Sequence, residues 1–189
     1  MRWTKLLTPM LALAVALSAQ APRKTVAVVA AASMRDALNE AKGVFEKAHP
    51  DVQLQVSYGA SGSLTAQIQQ GAPVDVFLSA DTAFPEKLVQ AGLATAEGVV
   101  PYARGMLVLW VRKDLGADPA AQGMKVLLNP AVKRVSIANP KLAPYGLAAE
   151  TALRKAGLHE AVLPKVVLAE NINQAAQYLY TNAAEAGFI

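Results

Sequence analysis

The chain has 189 residues, a formal charge of +4 and no cysteine. So small a positive surplus gives no electrostatic basis for a nucleic-acid partner. Without cysteine there is no disulfide framework, thiol nucleophile, thiolate metal site or lipoprotein acylation site, so the fold rests on a core of its abundant Ala, Val and Leu, as one domain or two small lobes.

Residues 1–21 read as a secretory signal peptide. Arg2 and Lys5 precede an apolar run, Leu6 to Leu17, and small residues follow at Ser18, Ala19 and Ala21. As a membrane span the run is too short, and Pro9 interrupts it. Ala19-Gln20-Ala21 and Ala16-Leu17-Ser18 are the two candidate cleavage sites. Without this segment, which holds two cations and no acid, the formal charge falls to +2.

From there the pattern alternates strand and helix. Thr25–Ala30 is an apolar run of buried-strand type, and a helical pattern follows from about Met34 to Ala48, broken at His49-Pro50-Asp51. Val52–Tyr58 is the next strand, then a helix over Leu64–Gln70 with its stop at Gly71, then a strand over Val74–Ala80. Asp81 is placed to cap a helix ending near Gly92. Beyond Tyr102–Gly105 come a strand over Met106–Val111, a short helical piece near Met124–Leu128, a strand over Arg134–Ala138, a helix from Leu147, a strand over Lys165–Leu168 and a helix from Asn173 with Asn171 as its cap. Such alternation predicts an α/β fold of mainly parallel sheets flanked by helices. The change of pattern near Tyr102–Gly105 divides it into two lobes, 22–103 and 104–189.

The connections carry the chemistry. Ala31-Ala32-Ser33 and Gly59-Ala60-Ser61-Gly62-Ser63 each join a strand to a helix through small and hydroxyl residues. Taken alone, Ser61 is a helix cap. Two such units in succession, the first with Ser33 and Asp36 spaced as a capping-box variant, put two helix N-termini at one sheet edge, where unpaired N–H groups and the helix dipole favour an anion. Ala143-Pro144-Tyr145-Gly146 and Ala169-Glu170-Asn171-Ile172 repeat the arrangement in the second half.

In order and spacing, Ala-Ala-Ser at 31–33, Gly-Ala-Ser-Gly-Ser-Leu at 59–64, Gly-Ala-Pro-Val-Asp-Val-Phe-Leu-Ser-Ala-Asp at 71–81, Ala-Asn-Pro at 138–140, Ala-Pro-Tyr-Gly at 143–146 and Ala-Glu-Asn-Ile at 169–172 resemble the periplasmic molybdate-binding proteins of ABC importers. The resemblance spans essentially all of the chain after residue 21. It implies a two-lobed periplasmic-binding-protein fold with the ligand in the cleft between lobes. Molybdate, and tungstate with it, would be captured and delivered to a membrane permease by a monomeric protein that is not an enzyme, carries no cofactor and binds no nucleic acid. Carried onto matching positions, Ser33 and Ser61 would donate hydroxyl and backbone hydrogen bonds, and Tyr145 and Ile172 backbone N–H groups. All four would meet the molybdate oxygens and none the metal. The resemblance also implies that Ala186-Gly187-Phe188-Ile189 opens a strand that family members continue, so the chain is expected to be a fragment; some members place a further ligand contact just beyond the position of Ile189, and no fifth contact is assigned.

Two other chemistries compete with this one. Sulfate or phosphate would suit the same fold. A secreted serine hydrolase built on Ser61 requires G-x-S-x-G, but Ser63 stands where the second glycine belongs, and His49 and His159 are the only bases of their kind. Asp75 is expected to be structural. Arg35, Arg104 and Lys141 could be oxyanion ligands but are expected to be solvated, with Arg104 nearest the lobe crossing.

Overall fold

The structure is a computed structural model that describes residues 23–189, so the expected signal peptide lies outside the described residues. Strand β1 (Lys24–Ala31) is followed by a 3-10 turn, Ala32–Met34, and helix α1 (Arg35–Ala48). Strand β2 (Val52–Gly59), helix α2 (Ser61–Gln69), strand β3 (Val76–Leu78) and helix α3 (Ala83–Gln90) complete the first half. These strands form one sheet in the order β2-β1-β3, parallel throughout.

The second half contains β4 (Leu109–Val111), a short α4 (Pro119–Gln122), a 3-10 segment Gly123–Leu128, β5 (Val135–Ala138), α5 (Pro144–Lys155), α6 (His159–Val162), β6 (Val166–Ala169), α7 (Ile172–Tyr180) and β7 (Ala186–Phe188). Its sheet runs β4-β7-β5-β6, parallel except for the β4–β7 pair. The expected strand at Ala186 is thus an interior strand of this sheet. Gly187 permits it, because a Cβ there would stand 2.6 Å from the Ser136 carbonyl oxygen of β5.

Two strands are shorter than their apolar runs, for a visible reason in β3. At its start the Asp75 carboxylate accepts from the Ala27 N–H at 2.8 Å while the Asp75 N–H donates to the Ala27 carbonyl, so a side chain replaces part of the ladder. At its end the Ala80 N–H turns to a side chain of α2, described below. β4 is regular only from Leu109, although Val108 and Ile189 still exchange two backbone hydrogen bonds.

The two halves differ in how much they bury. Val126, Leu127, Val132, Val135, Ile137, Ala149, Leu153, Val162, Ala186 and Phe188 form one continuous core around the second sheet. The first sheet buries Val28, Ala30, Leu64 and Leu88, while α1, despite its helical apolar spacing, buries no residue fully and leaves Val44 68% exposed. Among the described residues, no helix is long and apolar enough to cross a membrane.

Candidate functional site

Parallel strands deliver the chain to one place. The carboxyl ends of β1 and β2 and the turn after β3 bring Ala31, Gly59 and Ala80 to one edge of the first sheet, and β5 and β6 lead in the same way to Ala143 and Asn171. Ligands of open α/β sheets sit outside such strand ends. Between the two edges lies a pocket, also lined by Ala32, Ser33, Ala60, Ser61, Pro144, Tyr145 and Ile172. The four residues singled out in the sequence, Ser33, Ser61, Tyr145 and Ile172, therefore line a single pocket. No Lys, Arg, His, Asp or Glu is among its lining residues. The space open to the centre of a water-sized sphere is about 10 Å³, close to one water position, which suits only a small, compact occupant.

Each helix start presents its donors differently. In α2 the cap position is Ala60, so Ser61 lies inside the first turn instead of capping it. Its side chain is buried, 1% exposed, and its Oγ accepts from the Ala80 N–H at 3.0 Å. With that lone pair occupied, the hydroxyl keeps its single hydrogen to donate. The next amide, that of Gly62, donates to the Leu142 carbonyl at 2.8 Å and so joins the first half of the chain to the second.

In α5, Pro144 occupies the first position and has no N–H, which makes the Tyr145 amide the first donor of that helix. Gly146 behind it packs against β5, where a Cβ would run into the Ala138 carbonyl. In α7 the Asn171 side chain caps as expected, accepting from the N–H groups of Asn173 and Gln174 at 3.0 and 3.1 Å. That leaves the Ile172 amide as the uncapped donor of the first turn. The turn before α5 is itself built by Asn139, whose side chain accepts from the Lys141 N–H and whose carbonyl accepts from Leu142 and Ala143.

Two capping expectations need correction. Ser33 and Asp36 form no capping box, because the intervening 3-10 turn moves the start of α1 to Arg35, with Met34 at the cap position and no side-chain cap bond. Ser33 stays exposed in that turn, its hydroxyl not spent on a cap. Asp81 stands one residue before the Thr82 cap position of α3, yet its carboxylate still accepts from the Phe84 N–H at 3.2 Å.

Neither histidine comes near Ser61. His49 ends α1 with its ring 4.5 Å from that of Phe45, and His159 lies between Glu150 and Glu160. Among the described residues that line the pocket none is a His, Asp, Glu or Lys, so the nucleophile reading finds no base there. Arg35 stacks on the Tyr58 ring at 4.8 Å, and neither it, Arg104 nor Lys141 lines the pocket. Asp75 is structural, as described for β3.

Residues 26–189 match the family of bacterial extracellular solute-binding proteins. The chain belongs to that family. Among its relatives, the molybdate-binding protein ModA of Azotobacter vinelandii is 44% identical over 176 residues, which are 92% of this chain and 67% of that protein. ModA of Rhodobacter capsulatus is 42% identical over 134 residues, 70% of this chain and 51% of that protein. The solved structure of the Azotobacter vinelandii periplasmic molybdate-binding protein superposes with a TM-score of 0.78 at 36% identity, covering 87% of this chain and 70% of that one. The chain has the α/β fold of periplasmic binding proteins, and the relatives named are binding proteins, not enzymes. It spans 51% to 67% of the length of these two relatives.

Seen as a solute-binding protein, the chain holds two contacts near the pocket that the sequence did not disclose. The Tyr102 hydroxyl donates to the Ser79 carbonyl at 2.5 Å, and the Tyr145 hydroxyl lies against Gly105, where a Cβ would overlap it. Burial first, and the neighbouring Tyr145 second, raise the Tyr102 phenol above its ordinary pKa. Small-residue turns pointed to the pocket, but nothing local to Tyr102 or Gly105 marks a partner so distant in sequence.

Proposed function

We propose that this chain captures molybdate, and tungstate with it, in the periplasm and delivers it as a monomer to the permease of an ABC importer. Residues 22–103 and 104–189 act as its two lobes, and residues 1–21 direct export. Ser33 and Ser61 donate to the oxyanion from the first lobe, and Tyr145 and Ile172 donate backbone N–H groups from the second. All four meet oxygen atoms, and the metal stays inside its own oxygen shell.

The observation that carries this reading is a pocket lined by the starts of α2, α5 and α7 and by the 3-10 turn that holds Ser33, with no charged side chain among its lining residues. A dianion entering it loses its hydration, and oriented N–H and O–H groups with the positive ends of helix dipoles replace that shell. A carboxylate on the wall would repel the ligand, and none is there. The family and the names of the molybdate-binding relatives support the choice of oxyanion. Thermal unfolding tests it: a ligand that binds only the folded state raises Tm with concentration. Molybdate should raise Tm at concentrations where sulfate leaves it unchanged, and equal shifts from both would overturn the assignment.

A further inference from the structure

The peptide unit between Ser79 and Ala80 is held at both ends. Its carbonyl accepts from the Tyr102 hydroxyl at 2.5 Å, and its N–H donates to Ser61 Oγ at 3.0 Å. The Ser79 hydroxyl oxygen accepts in turn from the Asp81 N–H at 3.3 Å, which tightens the same turn. We infer that Tyr102 is a positioning residue for the binding pocket: by holding the Ser79–Ala80 peptide, it fixes the Ser61 hydroxyl for donation to the ligand.

The physical basis is orientation and polarisation. A serine hydroxyl rotates freely unless a neighbour fixes it. Here the Ala80 amide occupies one lone pair and so directs the remaining hydrogen. A donor on the carbonyl of the same peptide strengthens its N–H as a donor, since hydrogen bonds in a chain polarise one another. Tyr102 is 47% exposed, yet its hydroxyl reaches a carbonyl of a buried residue. It lies 23 residues beyond Ser79, in the segment that leads from the first sheet to the second. The residue that steadies Ser61 thus belongs to the crossing and not to α2, the helix that carries Ser61.

The inference rests on the oxyanion-binding reading for its ligand and on the two hydrogen bonds alone for the linkage. The test is a double-mutant cycle by calorimetric titration with molybdate, using the unaltered chain, Tyr102→Phe, Ser61→Ala and the double variant. Tyr102→Phe keeps the ring and removes the donor; it should weaken binding roughly three- to tenfold. In the Ser61→Ala background the same change should have less than about a twofold effect, because the residue it acts through is gone. Unchanged affinity in Tyr102→Phe, or an equal loss in both backgrounds, would overturn the proposal. The second readout needs no ligand: Tyr102→Phe should speed hydrogen exchange at the Ala80 amide and leave the β5 amides unchanged. Unaltered exchange at Ala80 would overturn the linkage. If the unaltered chain binds no molybdate, the oxyanion reading fails by itself, while the Ala80 measurement still decides the role of Tyr102.

Discussion

The Gly62 N–H donates to the Leu142 carbonyl oxygen at 2.8 Å, joining the first turn of α2 to the turn that precedes α5. The approach is close because residue 62 has no side chain. A Cβ there would stand 3.0 Å from the Leu142 oxygen and from the Phe84 ring, and 3.1 Å from the Leu142 Cα. Backbone cannot yield as a flexible side chain does. Gly62→Ala should therefore push the two pocket edges apart, lowering stability by about 1–3 kcal/mol and weakening oxyanion binding. Thermal unfolding and titration of the same variant check both effects.

Ser61→Ala and Ser33→Ala should each weaken molybdate binding by about 1.5–3 kcal/mol, the range for a hydrogen bond to a charged partner. They separate in stability. Ser61 is buried and holds the Ala80 amide, so its removal should also lower Tm, whereas exposed Ser33 should leave Tm unchanged. Unaltered affinity in both folded variants would remove the hydroxyl assignments.

Asn171 allows capping and charge to be tested apart. Asn171→Ala removes the acceptor of two amides and should cost about 0.5–2 kcal/mol of stability. Asn171→Asp should cap as well as asparagine but place a negative charge on the pocket wall, keeping Tm while weakening binding about tenfold or more. Retained affinity in Asn171→Asp would argue against an anionic ligand.

Much of the fold is legible because strand-to-helix transitions are local. The apolar run Thr25–Ala30, the small residues after it and the helical spacing beyond are enough to place β1 and α1, and Asn171 was recognisable as a cap from its position before an apolar helix. Repetition places two small-residue turns at one sheet edge and two more in the second half, while a shared cleft between the two sheets is what the family resemblance implies. What escaped depends on distance. The 3-10 turn that dissolves the Ser33–Asp36 box, the trimming of β3 by Asp75 and Ser61, and the contacts Gly62–Leu142 and Tyr102–Ser79 are set by partners 19 to 80 residues away or by backbone geometry that no residue type specifies.

Acid should loosen the second half through Glu185. This buried carboxylate accepts from the Arg134 guanidinium at 2.8 Å and from the backbone N–H groups of Arg134 and Lys133. The Arg134 side-chain bond is the main cause holding its pKa below the ordinary 4.5, against the opposing effect of burial. A depressed folded value stabilises the protein above the unfolded value and loses that contribution as pH falls through the folded one. Glu185→Gln should be less stable than the unaltered chain at neutral pH by about 1–3 kcal/mol, with the difference shrinking below pH 4.5. Thermal unfolding across that range checks it, and a constant difference would contradict the linkage.

The most direct measurement is calorimetric titration of residues 22–189, with folding verified by circular dichroism, against molybdate, tungstate, sulfate and phosphate in turn. Uncharged donors at fixed helix starts should bind molybdate and tungstate far more tightly than sulfate and phosphate. A folded chain that binds none of the four, or sulfate as tightly as molybdate, would contradict the assignment of this pocket.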